Sequence, residues 1–262
     1  MNLRKYKIFI LGMASITVIG MSYYLIDRFS YAREKSFYRI SNKENSTLQI
    51  GIIGDSWADG DELKLLLSKD LASREVKNTI ISSGQSGAKS KAIYQNLFSE
   101  SNDRFSTKFI VERNPKYCIV FAGVNDAIGQ LGADYYTHHM SLIIKTLIHY
   151  KIKPVIVELP EFGIIEHTGQ MNYLARERNK VFATFTNSGK LDNIKAYRRA
   201  LVETLKSENL MKSVIFVHFD KVCTDYDNCK DLFADYAHLS SKGKKLLSGA
   251  INSELEKDIN AQ

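Results

Sequence analysis

The sequence contains little proline, cysteine and tryptophan: its 262 residues include three prolines, three cysteines and one tryptophan. With so few prolines and with scattered glycines there is no low-complexity linker, and no internal repeat is present. Histidines with the spacing of metal ligands are lacking, and Asp225, Asp227 and Asp231 lack the glycine and the terminal glutamate of a calcium loop. A chain of this length can bury a full core. We therefore expect one folded domain with no metal and no cofactor.

The positive charge of the chain is unevenly distributed. The formal net charge is +7, but residues 1–39 contain seven lysines and arginines against two acidic residues. The remaining 223 residues therefore carry a net charge of only +2. Basic residues grouped in this way favour contact with anionic lipid headgroups. We do not expect a nucleic-acid partner.

Residues 8–26 form a run of nineteen residues without a charge. A helix of this length is about sufficient to cross a hydrocarbon core of about 30 Å. The run predicts a transmembrane signal anchor, preceded by a short tail over residues 1–7 and followed by a juxtamembrane connector over residues 27–47. A cleaved signal peptide is the alternative, although no small-x-small cleavage site follows the run. Basic residues on both sides of the run leave its orientation open.

The rest of the chain alternates between short apolar runs and longer stretches with helical spacing. Leu63, Leu67 and Leu71 are an example of helical spacing, and Ser240 or Ser241 could cap a last helix. Short continuous apolar runs are typical of parallel strands that are covered on both faces. The alternation predicts an α/β fold, a three-layer α/β/α sandwich. The five predicted strands are residues 48–53, 76–82, 117–122, 154–159 and 214–219.

Four short motifs occur in order along this pattern. Each of the first three directly follows an apolar run, so all three can meet at the carboxyl edge of one sheet, where open α/β folds place their ligand sites. Each motif alone is a weak signal, but their order strengthens it. The motifs are Gly54-Asp55-Ser56, the glycines Gly84 and Gly87, Gly123-Val124-Asn125-Asp126, and Asp235-Tyr236-Ala237-His238.

This ordered set resembles the SGNH (GDSL-type) hydrolase family, whose four blocks are a GDS serine, a glycine, a G-x-N-D asparagine and a D-x-x-H pair. The resemblance covers residues 49–255. It implies a hydrolase domain over residues 48–258 with a mostly parallel, flavodoxin-like sheet. It also implies a serine hydrolase that acts on ester bonds.

The resemblance assigns a role to each motif. Ser56 is the expected nucleophile, His238 the general base, and Asp235 the carboxylate that orients the imidazole. The oxyanion of the tetrahedral intermediate would be bound by the backbone N–H groups of Ser56 and Gly87 and by the side-chain amide of Asn125. These residue types suit the task, because glycine allows close backbone approach and an amide donates without adding charge.

Three positions leave alternatives open. Gly84 competes with Gly87 as the oxyanion glycine, and His218 competes with His238 as the base. Trp57 follows the nucleophile where many relatives have a smaller or more polar residue, and it would either form a wall of the acyl pocket or stack on a sugar ring.

The cysteines bear on the compartment of the domain. Cys223 and Cys229 flank a five-residue loop directly before the D-x-x-H motif. A disulfide there would restrain the loop that carries the histidine, and extracytoplasmic relatives that act on bacterial glycans often have such a pair. Disulfides persist in oxidising compartments, so we expect the domain to face outward from the cell membrane. Two unpaired thiols are the alternative, and Cys118 is expected to be a buried free thiol.

These features predict a membrane-anchored serine esterase that acts on small O-acyl groups, in particular acetyl, of a cell-envelope glycan. A glycan O-acetyltransferase would use the same residues, with a sugar hydroxyl in place of water. Two further functions compete with these: a lysophospholipase or thioesterase, and a non-catalytic glycan-binding scaffold. A complete triad argues against the scaffold.

Overall fold

The computed structural model describes residues 15, 18–40, 47–100 and 102–261, in two compact units, Met1–Ala32 and Arg33–Gln262. In the first unit, residues 18–29 form helix α1. The predicted tail and residues 8–14, 16 and 17 of the predicted span lie outside the described residues. Within the described part of the chain, no helix combines the length and the apolar content that a membrane crossing requires. The signal anchor therefore stays a prediction.

Five parallel strands form the sheet of the second unit, in the order β2-β1-β3-β4-β5. This is the strand order of flavodoxin-like folds, as the resemblance implied. The observed strands lie close to their predicted bounds, and β5 is the most shortened of them. At His218 the backbone leaves the extended conformation (φ −76°, ψ 62°) and enters a 3-10 turn, Phe219–Lys221. The strands are β1 Leu48–Gly54, β2 Asn78–Gly84, β3 Tyr117–Phe121, β4 Lys153–Val157 and β5 Ile215–Val217.

Helices cover the sheet on two faces because of the strand order. Connections between parallel strands of one sheet are right-handed. Strand β2 lies on one side of β1, whereas β3, β4 and β5 follow on the other side. Helix α2 therefore lies on one face, where it packs with α10, and α6 packs with α3 and α9 on the other. The helices are α2 Glu62–Ser73, α3 Ser90–Asn96, α4 Lys108–Glu112, α5 Val124–Ile128, α6 Ala133–His149, α7 Ile164–Gln170, α8 Tyr173–Thr186, α9 Ile194–Ser207 and α10 Ser241–Asn260.

The core lies between these layers, and the central strands are buried on both faces. Ile50, Ile53 and Ile119 have no exposed surface. This double burial explains why the strands are continuous apolar runs rather than alternating ones. The last helix begins as predicted, since the Ser240 side chain accepts a hydrogen bond from the N–H of Gly243.

Part of the predicted connector belongs to the folded unit. The Lys35 N–H donates to the Tyr94 hydroxyl at 2.8 Å, and the Tyr38 N–H donates to the Tyr150 hydroxyl at 2.9 Å. Phe37 stacks on the His149 ring at 3.7 Å between centroids. Residues 33–40 are therefore an aromatic strap on the domain, which the predicted connector boundaries, 27–47, did not anticipate. Residues 41–46 of the connector lie outside the described residues.

Candidate active site

Ser56 lies at the carboxyl end of β1, in a turn over residues 55–60 that we call the nucleophile turn. Gly54 ends the strand with φ +156°, and a Cβ there would lie 2.2 Å from the Phe121 carbonyl oxygen, so only glycine fits. The Asp55 N–H donates to the same oxygen at 3.1 Å. Since β2 and β3 lie on opposite sides of β1, Ser56 stands at the topological switch point of the sheet, and its side chain is partly exposed.

His238 and Asp235 form a hydrogen-bonded pair within one segment, residues 235–238, which we call the acid–base loop. The Asp235 Oδ2 lies 2.7 Å from the His238 Nδ1. The Asp235 Oδ1 accepts the backbone N–H groups of Ala237 and His238, both at 2.8 Å. Partial burial raises the pKa of Asp235, but these hydrogen bonds outweigh it and leave the pKa below its usual value. The carboxylate therefore holds a proton on Nδ1 and leaves Nε2 as the base.

The two candidate oxyanion glycines lie in different surroundings. A Cβ at Gly84 would lie 2.4 Å from the Asp59 backbone nitrogen, so Gly84 packs directly against the nucleophile turn. Gly87 has φ +76° and borders open space. The Asn125 amide donates one hydrogen to the Ala88 carbonyl at 3.0 Å, which places it beside Gly87 and leaves its second N–H for an oxyanion. The geometry thus favours Gly87 over Gly84.

Two buried carboxyl groups, those of Asp55 and Asp126, accept hydrogen bonds from residues next to the motifs. Asp126 accepts hydrogen bonds from the Ser90 N–H at 2.9 Å and the Ser90 hydroxyl at 2.6 Å, so it ties the segment after Gly87 to Asn125. Asp55 accepts the Trp57 N–H at 3.0 Å. Burial raises the pKa of Asp126 to about 6 and that of Asp55 to about 7. Both residues occur within the motifs, but their burial is not readable from the sequence.

His218, the alternative base, interacts with two acidic residues. Its Nδ1 pairs with Glu158 and lies 4.0 Å from the Asp220 Oδ1. Burial, followed by the charge of Asp220, raises the pKa of Glu158. The potential metal-ligand atoms of Glu158, His218 and Asp220 all lie within 4.8 Å of one another. Among the described residues, this is the one cluster of three such side chains. Sequence reasoning missed this group, because Glu158 and His218 follow different strands.

The structure joins Cys223 and Cys229 in a disulfide, with their Cα atoms 5.8 Å apart. The loop between them holds Tyr226, whose hydroxyl donates to the Asp235 carbonyl at 3.4 Å. The disulfide loop thus contacts the acid–base loop. Cys118 is a buried free cysteine, and burial raises the pKa of its thiol.

The position of Trp57 differs from one of the two expectations, stacking on a sugar ring. The residue is only 7% exposed, and its ring lies 6.1 Å from that of Phe121 and 6.3 Å, edge-on, from that of Phe219. An indole enclosed in this way cannot stack on a sugar ring. Its Nε1 instead donates to the Ala237 carbonyl at 3.0 Å.

A cavity of about 320 Å³ borders the nucleophile turn. It lies between this turn, the end of β2 and residues 104–105, and its surface is mostly polar. A cavity of this size accommodates a small polar ligand. Residues with polar or charged side chains that line it are Asp59, Asp61, Lys64, Ser82, Ser83 and Arg104.

Comparison with known proteins agrees with the fold and the motifs. Residues 50–251 match the family model described as GDSL-like lipase/acylhydrolase. No curated protein sequence matched the chain.

Several solved structures share the fold. An acetyl xylan esterase, AlAXEase, has a TM-score of 0.55 and 16% sequence identity, over 78% of this chain and 98% of that one. A family 3 carbohydrate esterase of Clostridium thermocellum has a TM-score of 0.56 and 17% identity, over 82% and 98%. The esterase EstA of Pseudoalteromonas has a TM-score of 0.56 and 14% identity, over 81% and 99%. At these identities the likeness shows the fold.

Proposed function

The chain belongs to the family of GDSL-like lipases and acylhydrolases, and from this premise we propose that it is a membrane-anchored serine esterase that removes acetyl or similarly small O-acyl groups from a cell-envelope glycan. Hydrolysis of ester bonds is the activity of this family. The anchor, the acyl group and the glycan are the parts that we propose.

The reaction would proceed through an acyl-enzyme. The Ser56 oxygen attacks the ester carbonyl carbon while His238 Nε2 takes the hydroxyl proton. The oxyanion is met by the N–H groups of Ser56 and Gly87 and by the Asn125 amide. The carbon–oxygen bond to the alcohol then breaks, and His238 returns its proton to that alcohol. Water, deprotonated by His238, then adds to the carbonyl carbon of the acyl-enzyme. The bond between that carbon and the Ser56 oxygen breaks, His238 returns the proton to Ser56, and the acid is released.

The polar cavity is the observation that carries the glycan proposal. The cavity borders the nucleophile turn but is not lined by the triad residues, so it would receive the alcohol part of the ester rather than its acyl group. Asp59, Lys64 and Arg104 line it with charged groups. Charged and hydroxyl side chains suit the hydroxyl groups of a sugar, and Phe105 adds one aromatic surface. Two structural neighbours described as an acetyl xylan esterase and a carbohydrate esterase are in keeping with this choice.

The outward-facing, anchored location rests on two features. The uncharged run over residues 8–26 is long enough for a span. The disulfide between Cys223 and Cys229 fits an oxidising compartment.

The test compares acyl-chain length and sugar dependence in the full chain in detergent. We expect hydrolysis of nitrophenyl acetate to exceed that of nitrophenyl decanoate, and we expect release of acetate from acetylated oligosaccharides. The Arg104→Ala variant should raise KM for the acetylated oligosaccharide but not for nitrophenyl acetate, since only the sugar reaches the cavity. Arg199→Ala, on an exposed position of α9, is the matched control. A preference for decanoate, with no effect of Arg104→Ala, would instead indicate a lipid acylhydrolase.

A further inference from the structure

The structure assigns to Trp57 a positioning role: its indole N–H fixes the acid–base loop against the nucleophile turn, so that His238 is held in register with Ser56. This inference rests on the proposed serine esterase reaction. It concerns a contact between two motifs that are 180 residues apart in the sequence.

The hydrogen bond acts on the peptide unit that carries His238. Trp57 Nε1 donates to the Ala237 carbonyl at 3.0 Å, and the N–H of the same peptide group, that of His238, donates to the Asp235 Oδ1 at 2.8 Å. Both polar groups of this peptide are therefore engaged, one by the nucleophile turn and one by the triad carboxylate. The backbone of His238 cannot shift without breaking one of these bonds.

The surroundings make this bond rigid and costly to lose. Trp57 is 7% exposed and Ala237 is 3% exposed, so the hydrogen bond is shielded from water, and loss of the indole N–H removes this donor from a buried carbonyl. The Phe121 and Phe219 rings fix the indole plane from the ends of β3 and β5. At its other end, the Trp57 N–H is held by the Asp55 carboxyl group at 3.0 Å.

Two other hydrogen bonds of the acid–base loop point away from the nucleophile turn. The Gly163 N–H donates to the Tyr236 carbonyl at 2.7 Å, and the Tyr226 hydroxyl reaches the Asp235 carbonyl at 3.4 Å. These bonds attach the loop to the segment after β4 and to the disulfide loop. They fix the loop on its outer side, whereas Trp57 fixes it relative to Ser56.

The experiment removes the N–H and keeps the ring. We compare the wild-type full chain with Trp57→Phe, and also with protein in which the single tryptophan is replaced by 3-benzothienylalanine, an isostere with sulfur in place of N–H. Protein with 5-fluorotryptophan, which keeps the N–H, is the control. Phe219→Leu is a second control, because it loosens the packing of the indole but leaves the hydrogen bond.

A positioning role predicts a specific pattern. With nitrophenyl acetate, kcat should fall roughly 10-fold or more in both proteins that lack the N–H, while KM stays within about twofold. The 5-fluorotryptophan protein should keep wild-type kcat. Phe219→Leu should lower the melting temperature with a smaller loss of kcat. Amide hydrogen exchange of residues 235–238 should be faster in the proteins without the N–H.

Two results would overturn the inference. One is unchanged kcat and unchanged exchange in the benzothienylalanine protein, which differs from wild type by sulfur in place of the indole N–H. The other is a loss of kcat that follows the melting temperature equally in Phe219→Leu, which would mean that Trp57 only supports the core. If Ser56→Ala kept full activity, the proposed esterase reaction would fail instead, and the exchange measurement would still decide whether Trp57 holds the loop.

Discussion

Removal of the disulfide should weaken the active site before it unfolds the domain. The bond joins Cys223 and Cys229, which are six positions apart. Closing a loop of this size restricts the unfolded chain by about 2 kcal/mol. The loop also holds Tyr226, which contacts the Asp235 carbonyl through its hydroxyl and packs on Phe233 at 5.5 Å. The double substitution Cys223→Ser and Cys229→Ser should therefore lower the free energy of unfolding by about 2 kcal/mol and also reduce kcat.

The assay combines urea unfolding, nitrophenyl acetate turnover and thiol counting under denaturing, non-reducing conditions. Wild-type protein purified without reductant should show one thiol, Cys118, and Cys118→Ala should show none while keeping its activity. Three thiols in the wild type would contradict the disulfide and weaken the argument for an outward-facing domain. Unchanged unfolding and unchanged kcat in the double variant would contradict the coupling through Tyr226.

Three further predictions concern the oxyanion site, a buried carboxyl group and the aromatic strap. Asn125→Ala should lower kcat by roughly 100-fold or more with little change in KM, because it removes a transition-state donor; steady-state kinetics checks this. Asp55 has its pKa raised to about 7 in the fold, so its ionisation destabilises the fold as pH rises from about 4 through 7. Asp55→Asn should make the free energy of unfolding fall less over that range, as urea titrations at several pH values would show. Phe37→Ala removes the ring that stacks on His149 and should lower the melting temperature, whereas Phe185→Ala, at an exposed position of α8, should not.

The sequence predicts the sheet and the order of the motifs well, because these features are local. Continuous apolar runs identify strands buried on both faces, and the turn at Gly54 follows from a glycine at a strand end. The prediction that Ser56 and Asn125 lie at one edge of the sheet depends on the apolar runs that precede them, whereas His238 is assigned from its D-x-x-H motif. Most residues of the candidate site therefore belong to the four motifs.

Contacts between distant residues are not predictable in this way. The bond from Trp57 to Ala237 spans 180 positions, and the strap bond from Tyr38 to Tyr150 spans 112. From the sequence, Trp57 is expected to form a wall of the acyl pocket or to stack on a sugar ring, and residues 33–40 are expected to belong to the juxtamembrane connector. These contacts depend on tertiary packing of aromatic rings, for which neither composition nor periodicity gives a signal.

The central claim is that Ser56 is a nucleophile activated by His238, and covalent capture tests it most directly. The full chain is treated with a fluorophosphonate, and the modified residue is located by peptide mass spectrometry in wild type, Ser56→Ala and His238→Ala. We predict one adduct on the peptide that contains Ser56, much slower labelling in His238→Ala and none in Ser56→Ala. Labelling of another residue, or equal labelling of Ser56 with and without His238, would contradict the account.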